Sequence, residues 1–256
     1  MNIRNMLCQI TVWFLVSLLL STGNVQAQEK EMLAEMWQMT PKAGMNQAFE
    51  NNFKAHIEHR QKLGDPRQWH VYTPVLGDEL NKYLIRSCCF EWKEMDSYQQ
   101  WVKEKDPMTH WNKNVDDKVA HYGHYLAVMD MANSHWPDGV TANYVGVTYY
   151  MIKPGHGSEV KAAVKIISDV AKAHNWPYHW SWSYTVSGEP GMHLAIPFEN
   201  YAGMAPPEQK FNALMVKHLG GEDKAKAFWQ TWASHFDKTS YNIYYHNKAL
   251  SVYHKK

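Results

Sequence analysis

Two stretches of the chain read alike, element after element, at a nearly constant spacing. Trp37-Gln38-Met39 lies 112 residues before Tyr149-Tyr150-Met151. Each is followed by a turn, Pro41-Lys42-Ala43-Gly44 or Lys153-Pro154-Gly155-His156-Gly157, and then by a helical pattern. Each helix ends near a proline turn, at Asp65-Pro66 or Asn175-Trp176-Pro177. An aromatic strand follows, with Tyr72-Thr73 answering Tyr184-Thr185. A glycine turn (Gly77 or Gly188), a strand ending in Phe90-Glu91 or Phe198-Glu199, a helical stretch and a Tyr/His-rich strand at 119–129 or 240–247 complete each copy. The shared order carries the repeat, because no single match is long.

Each copy therefore reads β-α-β-β-α-β. Such a sheet carries helices on one face only, and its bare face must be covered. The second copy supplies an equivalent sheet. Closure of the two sheets into one barrel satisfies this, as does ordinary packing of two domains. The polar stretch 133–142, with a Pro-Asp-Gly turn signal, separates the halves 28–132 and 143–256.

The segment Trp92-Lys93-Glu94-Met95-Asp96-Ser97-Tyr98-Gln99-Gln100-Trp101 resembles the strand-to-helix passage of the dimeric α/β-barrel superfamily, which includes antibiotic-biosynthesis and haem-degrading monooxygenases. The motif covers about twenty residues, whereas the topology covers nearly the whole of both halves. The resemblance implies an α+β fold of tandem ferredoxin-like repeats, joined as a dimeric α/β barrel within one chain. In the second half, Pro206-Pro207 and Gly220-Gly221 interrupt the corresponding region. The superfamily's activities are too varied for the fold to select one.

Residues 1–27 have the organisation of a signal peptide. Arg4 precedes an apolar core from Val12 to Leu20, and Val25-Gln26-Ala27 offers a cleavage site. The core is too short to span a bilayer, so the expectation is export to the periplasm or beyond, with no membrane span after cleavage. Without Arg4 the basic and acidic residues balance, which argues against nucleic acid and against an electrostatic membrane anchor. Of the three cysteines, Cys8 leaves with the signal. Neighbouring side chains on a strand point to opposite faces, so Cys88 and Cys89 are expected to be two small buried hydrophobes rather than a bridge.

G-x-S-x-G, P-loop, H-E-x-x-H and C-x-x-C-H motifs are all missing, and Gly155-His156-Gly157 lacks the third glycine of a dinucleotide fingerprint. That turn instead sets up Ser158 as a helix N-cap. On the first helix Phe49, Phe53 and Ile57 define an apolar face into which His56 and Arg60 also project. The second copy has Val160, Val164, Ile167 and Ala171 there, apolar throughout. His56 and Arg60 thus either face a wet or anionic cavity, or are a satisfied core histidine and an arginine reaching out to solvent. As a site, His56 would shuttle a proton, Arg60 would hold an oxyanion, and Tyr72 would help polarise the substrate. No metal site is expected, because His56-x-x-His59 lacks a further ligand at a suitable spacing. His121 and His124, on a strand, point to opposite faces.

The resemblance also implies a haem possibility, with the axial histidine late in the helix after the Trp-containing strand. His110 falls in that neighbourhood, one residue from the ungapped position at Trp111. In His179-Trp180-Ser181-Trp182-Ser183-Tyr184 large aromatics alternate with small polar residues, and Gln68, His70 and Tyr72 are aligned with Trp180, Trp182 and Tyr184. Such strands build a barrel core, or line a pocket for flat organic or sugar ligands. Four functional readings remain. They are a small-molecule-binding protein with monooxygenase-like oxidation, a haem-binding or haem-degrading protein, a lyase of acidic polysaccharides, and a non-catalytic binding module.

Overall fold

The computed structural model describes residues 30–253 except 79, 141 and 188–190. The expected signal segment, Cys8 and Gly188 lie outside the described residues. The first half runs β1 (Met32–Pro41), α1 (Asn46–Lys62), β2 (His70–Leu76), β3 (Tyr83–Phe90), α2 (Trp92–Lys105), α3 (Pro107–Asn114) and β4 (Val119–His135). The second runs β5 (Tyr144–Ile152), α4 (Gly157–Ala173), β6 (Trp180–Thr185), β7 (Gly191–Phe198), α5 (Phe211–Leu219), α6 (Glu222–Ser234) and β8 (Phe236–His246).

All the strand pairings are antiparallel, and the strands close into a barrel in the order β1-β3-β2-β8-β5-β7-β6-β4, with β4 returning to β1. Two seams join the halves, β2 with β8 and β4 with β6. Each half thus donates its fourth strand to the second strand of the other. Among the described residues, no helix is long and apolar enough to cross a membrane.

The second helix of each copy is broken in two, for different reasons. In the first half Asp106 adopts a left-handed backbone (φ 45°), and its side chain caps the new helix at Thr109 while Pro107 occupies the first helical position. In the second half Gly220 (φ 78°) ends α5 and Gly221 begins α6.

The two copies align at 111 residues rather than 112. Helices α1 and α4 are both 17 residues long, starting at 46 and 157, and the left-handed turn glycines are Gly44 and Gly155. One residue matters on a strand, because it exchanges the two faces. Trp69 and Val71, not His70 and Tyr72, are the counterparts of Trp180 and Trp182. Trp180 and Trp182 pack with Val160, Val164 and Trp232 in the dry layer beneath the helices, so they line no pocket. Trp69 and Val71 do the same in the first half, with Phe49, Phe53, Ile57 and Tyr98.

Two local expectations are overturned. Cys88 and Cys89 form a disulfide across a cis peptide, with Cys88 half-buried and Cys89 exposed, so they are neither free thiols nor a buried pair. The alternation rule assumes a trans peptide, and this one is not. Helix α4 starts at Gly157 with His156 in the N-cap position, which places Ser158 inside the first turn, its hydroxyl on Glu159.

Candidate functional site

The helix layer of the first half holds His56 and Arg60, and both are occupied by neighbours. Arg60 Nε lies 2.6 Å from Asp65 Oδ2, a second guanidinium nitrogen bonds the Tyr98 hydroxyl, and the group sits over Trp69 and Trp101 at 5.7 and 5.4 Å. Asp65 is five residues downstream in the turn that ends α1, where its other oxygen accepts from the Arg67 amide. Arg67 in turn pairs with Glu35, buried on β1, and packs over Phe90 and Tyr98. Glu35 also meets His124 Nε2 at 2.7 Å and accepts from Trp37 Nε1. Arg60 therefore belongs to a neutralised network of two guanidinium and two carboxylate groups, and faces no open anionic cavity. Arg60→Met is expected to lower thermal stability and leave ligand affinity within about twofold, as calorimetry with and without ligand would show.

His56 is 3% exposed, wedged edge-on to Trp111 and with its Nδ1 3.3 Å from that of His110. Burial, then the nearby charges of Arg60, His110 and His59, pull its pKa down to about 3. His110 stacks on His59 with ring centroids 4.4 Å apart. Burial and then the charges of His59 and Lys113 lower its pKa as well. A porphyrin needs broad apolar walls, whereas His110 is surrounded by two imidazoles and a lysine. Beside His110 these residues offer no such wall. His110→Ala is expected to leave any haemin absorbance change unaltered in a spectroscopic titration. Among the described residues no group of three or more His, Cys, Asp or Glu is arranged to hold a metal ion.

Tyr72 lies on the opposite side of the sheet from His56 and Arg60, inside the barrel. There His70, Tyr72, Arg86 and His193 keep some accessible surface, while Trp69, Val71, Ile85 and Met192 on the helix-facing side of the same strands are buried; inward-facing Leu84, Tyr244 and His246 are buried as well. Ser181 is half-buried between the buried Trp180 and Trp182, Ser183 is half-buried just beyond Trp182, and Arg86 is half-buried between buried Ile85 and Ser87. An eight-stranded barrel has room for its own side chains or for one small ligand.

The polar groups of this lumen come from both halves. Tyr72 stacks on His246 at 4.8 Å, and His70 Nδ1 is 3.3 Å from His246 Nε2. The residues after β8 fold back along β2, with Val252 bridging to Trp69 and the Val71 amide donating to Ser251 Oγ. This brings the Tyr253 hydroxyl within 3.0 Å of His246 Nε2. His246 Nδ1 is 3.4 Å from the Ala142 carbonyl. A carbonyl only accepts, so Nδ1 carries the proton and Nε2 is left to accept from Tyr253. On the other wall, His193 lies 3.4 Å from Ser183 Oγ and edge-on to Tyr149, whose hydroxyl meets that of Tyr244 at 2.8 Å.

Arg86 on β3 stands in register with His70 on β2 and Met36 on β1. Its side-chain contact is weak, a 3.6 Å approach to Met129 Sδ. Burial holds its pKa below the ordinary guanidinium value. Burial first, then His246 and Arg86, draw His70 down to about 4, and burial followed by Arg86 does the same to His193. Burial raises the Tyr72 hydroxyl. At neutral pH the lumen therefore offers neutral imidazoles, a protonated phenol and one guanidinium.

Of the expected site residues, then, Tyr72 alone faces the lumen. Arg86, His193, His246 and Tyr253 went unnoticed, and His70 was noted only as the counterpart of Trp182. Correct parity along Tyr83-Leu84-Ile85-Arg86, with Tyr83 and Ile85 in the dry core, would have put Arg86 inside.

No protein-family model matches the chain, and no curated protein sequence does. Solved structures do match in fold. A candidate monooxygenase from Fusobacterium nucleatum superimposes with a TM-score of 0.54 over 86% of this chain and 94% of its own, at 8% identity. One from Lactobacillus acidophilus gives 0.51 over 85% and 94%, also at 8% identity. A chlorite dismutase variant from Candidatus Nitrospira defluvii gives 0.55 over 87% and 94%, at 7% identity. Identities this low speak to architecture alone. The chain has the dimeric α/β-barrel fold, with both ferredoxin-like halves in a single polypeptide.

Proposed function

We propose that this is an exported small-molecule-binding barrel of the monooxygenase type, with the lumen as its ligand site. The observation that carries the reading is that His70, Tyr72, Arg86, Ser181, Ser183 and His193 inside the barrel keep accessible surface, whereas Trp69, Val71, Trp180 and Trp182 on the other face of the sheet are buried. An eight-stranded barrel holds at most one small molecule, which favours this reading over a lyase acting on a polymer.

The groups present suit proton removal from an organic substrate that then reacts with oxygen itself. Neutral His70 takes the proton, and His246 connects it to Tyr253, which is 47% exposed and reaches solvent. Tyr72 donates a hydrogen bond to the substrate. The sequence motifs supply no nucleotide-binding loop, and this chemistry requires none.

Filling the lumen tests the site. Ala195 on β7 faces inward and is half-buried. Ala195→Trp is expected to weaken saturable binding of 1-naphthol, followed by its fluorescence, by about tenfold or more. Trp229→Ala, in the open groove between α5 and α6, is expected to leave it unchanged. Binding that follows Trp229 rather than Ala195 would move the site out of the lumen.

A further inference from the structure

Arg86 is a charged group in the barrel interior whose surroundings do not compensate it. The ionisable side chains that interact with it, among the described residues, are the Tyr72 phenol and the imidazoles of His70 and His193, none of which is an anion at neutral pH. Among the described residues no carboxylate pairs with it, although the two other interior guanidinium groups, Arg60 and Arg67, each have one. Guanidinium does not shed its charge at any pH a protein meets, so neutralising itself is not an option for Arg86. A sulfur 3.6 Å away is a poor substitute for an anion.

The barrel has no structural need for this residue. Met36 pairs with Arg86, and 111 residues on Val147 pairs with Ala195. The position equivalent to Arg86 is thus an alanine, and that half closes equally well. A residue that is costly, unpaired and dispensable to its own internal copy is one retained for something that visits it.

We propose that the lumen ligand is a small organic oxyanion, a carboxylate or the enolate or phenolate of a weak acid, whose negative oxygen is held by Arg86. This rests on the lumen being the ligand site, and it assigns the ligand's charge. Neutral His70 and His193 on either side add no competing positive charge, and the Tyr72 hydroxyl can donate a second hydrogen bond to the same oxygen. The guanidinium also favours ionisation of a bound weak acid, because it stabilises the conjugate base more than the acid.

The test compares benzoate, 4-nitrophenol and the neutral benzamide by calorimetry and absorbance, on wild type, Arg86→Met and Arg86→Lys. Wild type is expected to bind benzoate about tenfold or more tighter than benzamide, and to keep 4-nitrophenol ionised below its solution pKa. Arg86→Met is expected to lose both effects while holding benzamide within about twofold, and to melt no lower than wild type, since it removes an unpaired charge. Arg86→Lys keeps the charge without the planar fork and is expected to fall between them. Equal affinity for benzoate and benzamide, or anion binding untouched in both variants, overturns the assignment. If benzamide alone binds, the lumen site stands and its anionic ligand falls. If wild type binds none of the three, both readings fall.

Discussion

Arg67→Ala is expected to destabilise the folded chain by about 3–5 kcal/mol, because it strands a buried carboxylate. Glu35 is 3% exposed and Arg67 8% exposed, so neither can turn to water when its partner goes. The loss is expected to exceed that of Glu35→Gln combined with Arg67→Met, in which both charges leave together and the apolar stem of Met still covers Phe90 and Tyr98. Urea unfolding of the single and double variants, read as a double-mutant cycle, gives the coupling directly. Similar losses for Arg67→Ala and the double variant would mean that packing rather than charge holds this layer.

Acid is expected to unfold the protein earlier than its carboxylates alone would require. His56 is held at about 3 and His70 and His193 at about 4, each by burial first. In the unfolded chain each returns to about 6.5. Between those values the unfolded state binds the proton and the folded state does not, so stability rises with pH across that window and is lost as pH falls from 6.5 towards 4. Each of the three contributes at most about 1.4 kcal/mol per pH unit. Glu35 acts at the acid end. Burial would raise its pKa, but the His124 hydrogen bond and the Arg67 charge outweigh that and depress it. Its contribution is present above about 4.5 and disappears as pH falls through the depressed folded value. Urea midpoints from pH 7 to pH 5 are expected to drop steeply in wild type and less steeply in His56→Gln and His193→Gln. A flat wild-type profile over that range would show that these imidazoles take up protons without unfolding.

The architecture was legible because it depends on order and periodicity. The succession of turns, helices and aromatic strands gave two β-α-β-β-α-β copies, and the bare sheet faces required a partner. The site was less legible, for two physical reasons. An alignment at 112 rather than 111 residues matched His70 and Tyr72 with Trp182 and Tyr184, which face the other side of the sheet, and so left His70 without significance, although the barrel-core reading of Trp180 and Trp182 holds. Arg60 looked unpaired because helical periodicity covers only its own helix, while Asp65, its partner, lies in the turn beyond the helix end. Tyr253 could not have been anticipated at all, since its place depends on the chain folding back along β2 after β8.

Fusing two copies into one polypeptide also frees the barrel from symmetry. In a homodimer every residue lining the shared interior occurs twice, so an arginine at the Arg86 position would confront its own image across the same small space. Here the second image is Ala195, and the serines 181 and 183 stand where His70 and Tyr72 would recur. Duplication within one gene allows one position to acquire a guanidinium while its counterpart stays small, giving a single polarised chamber with a distinct front and back.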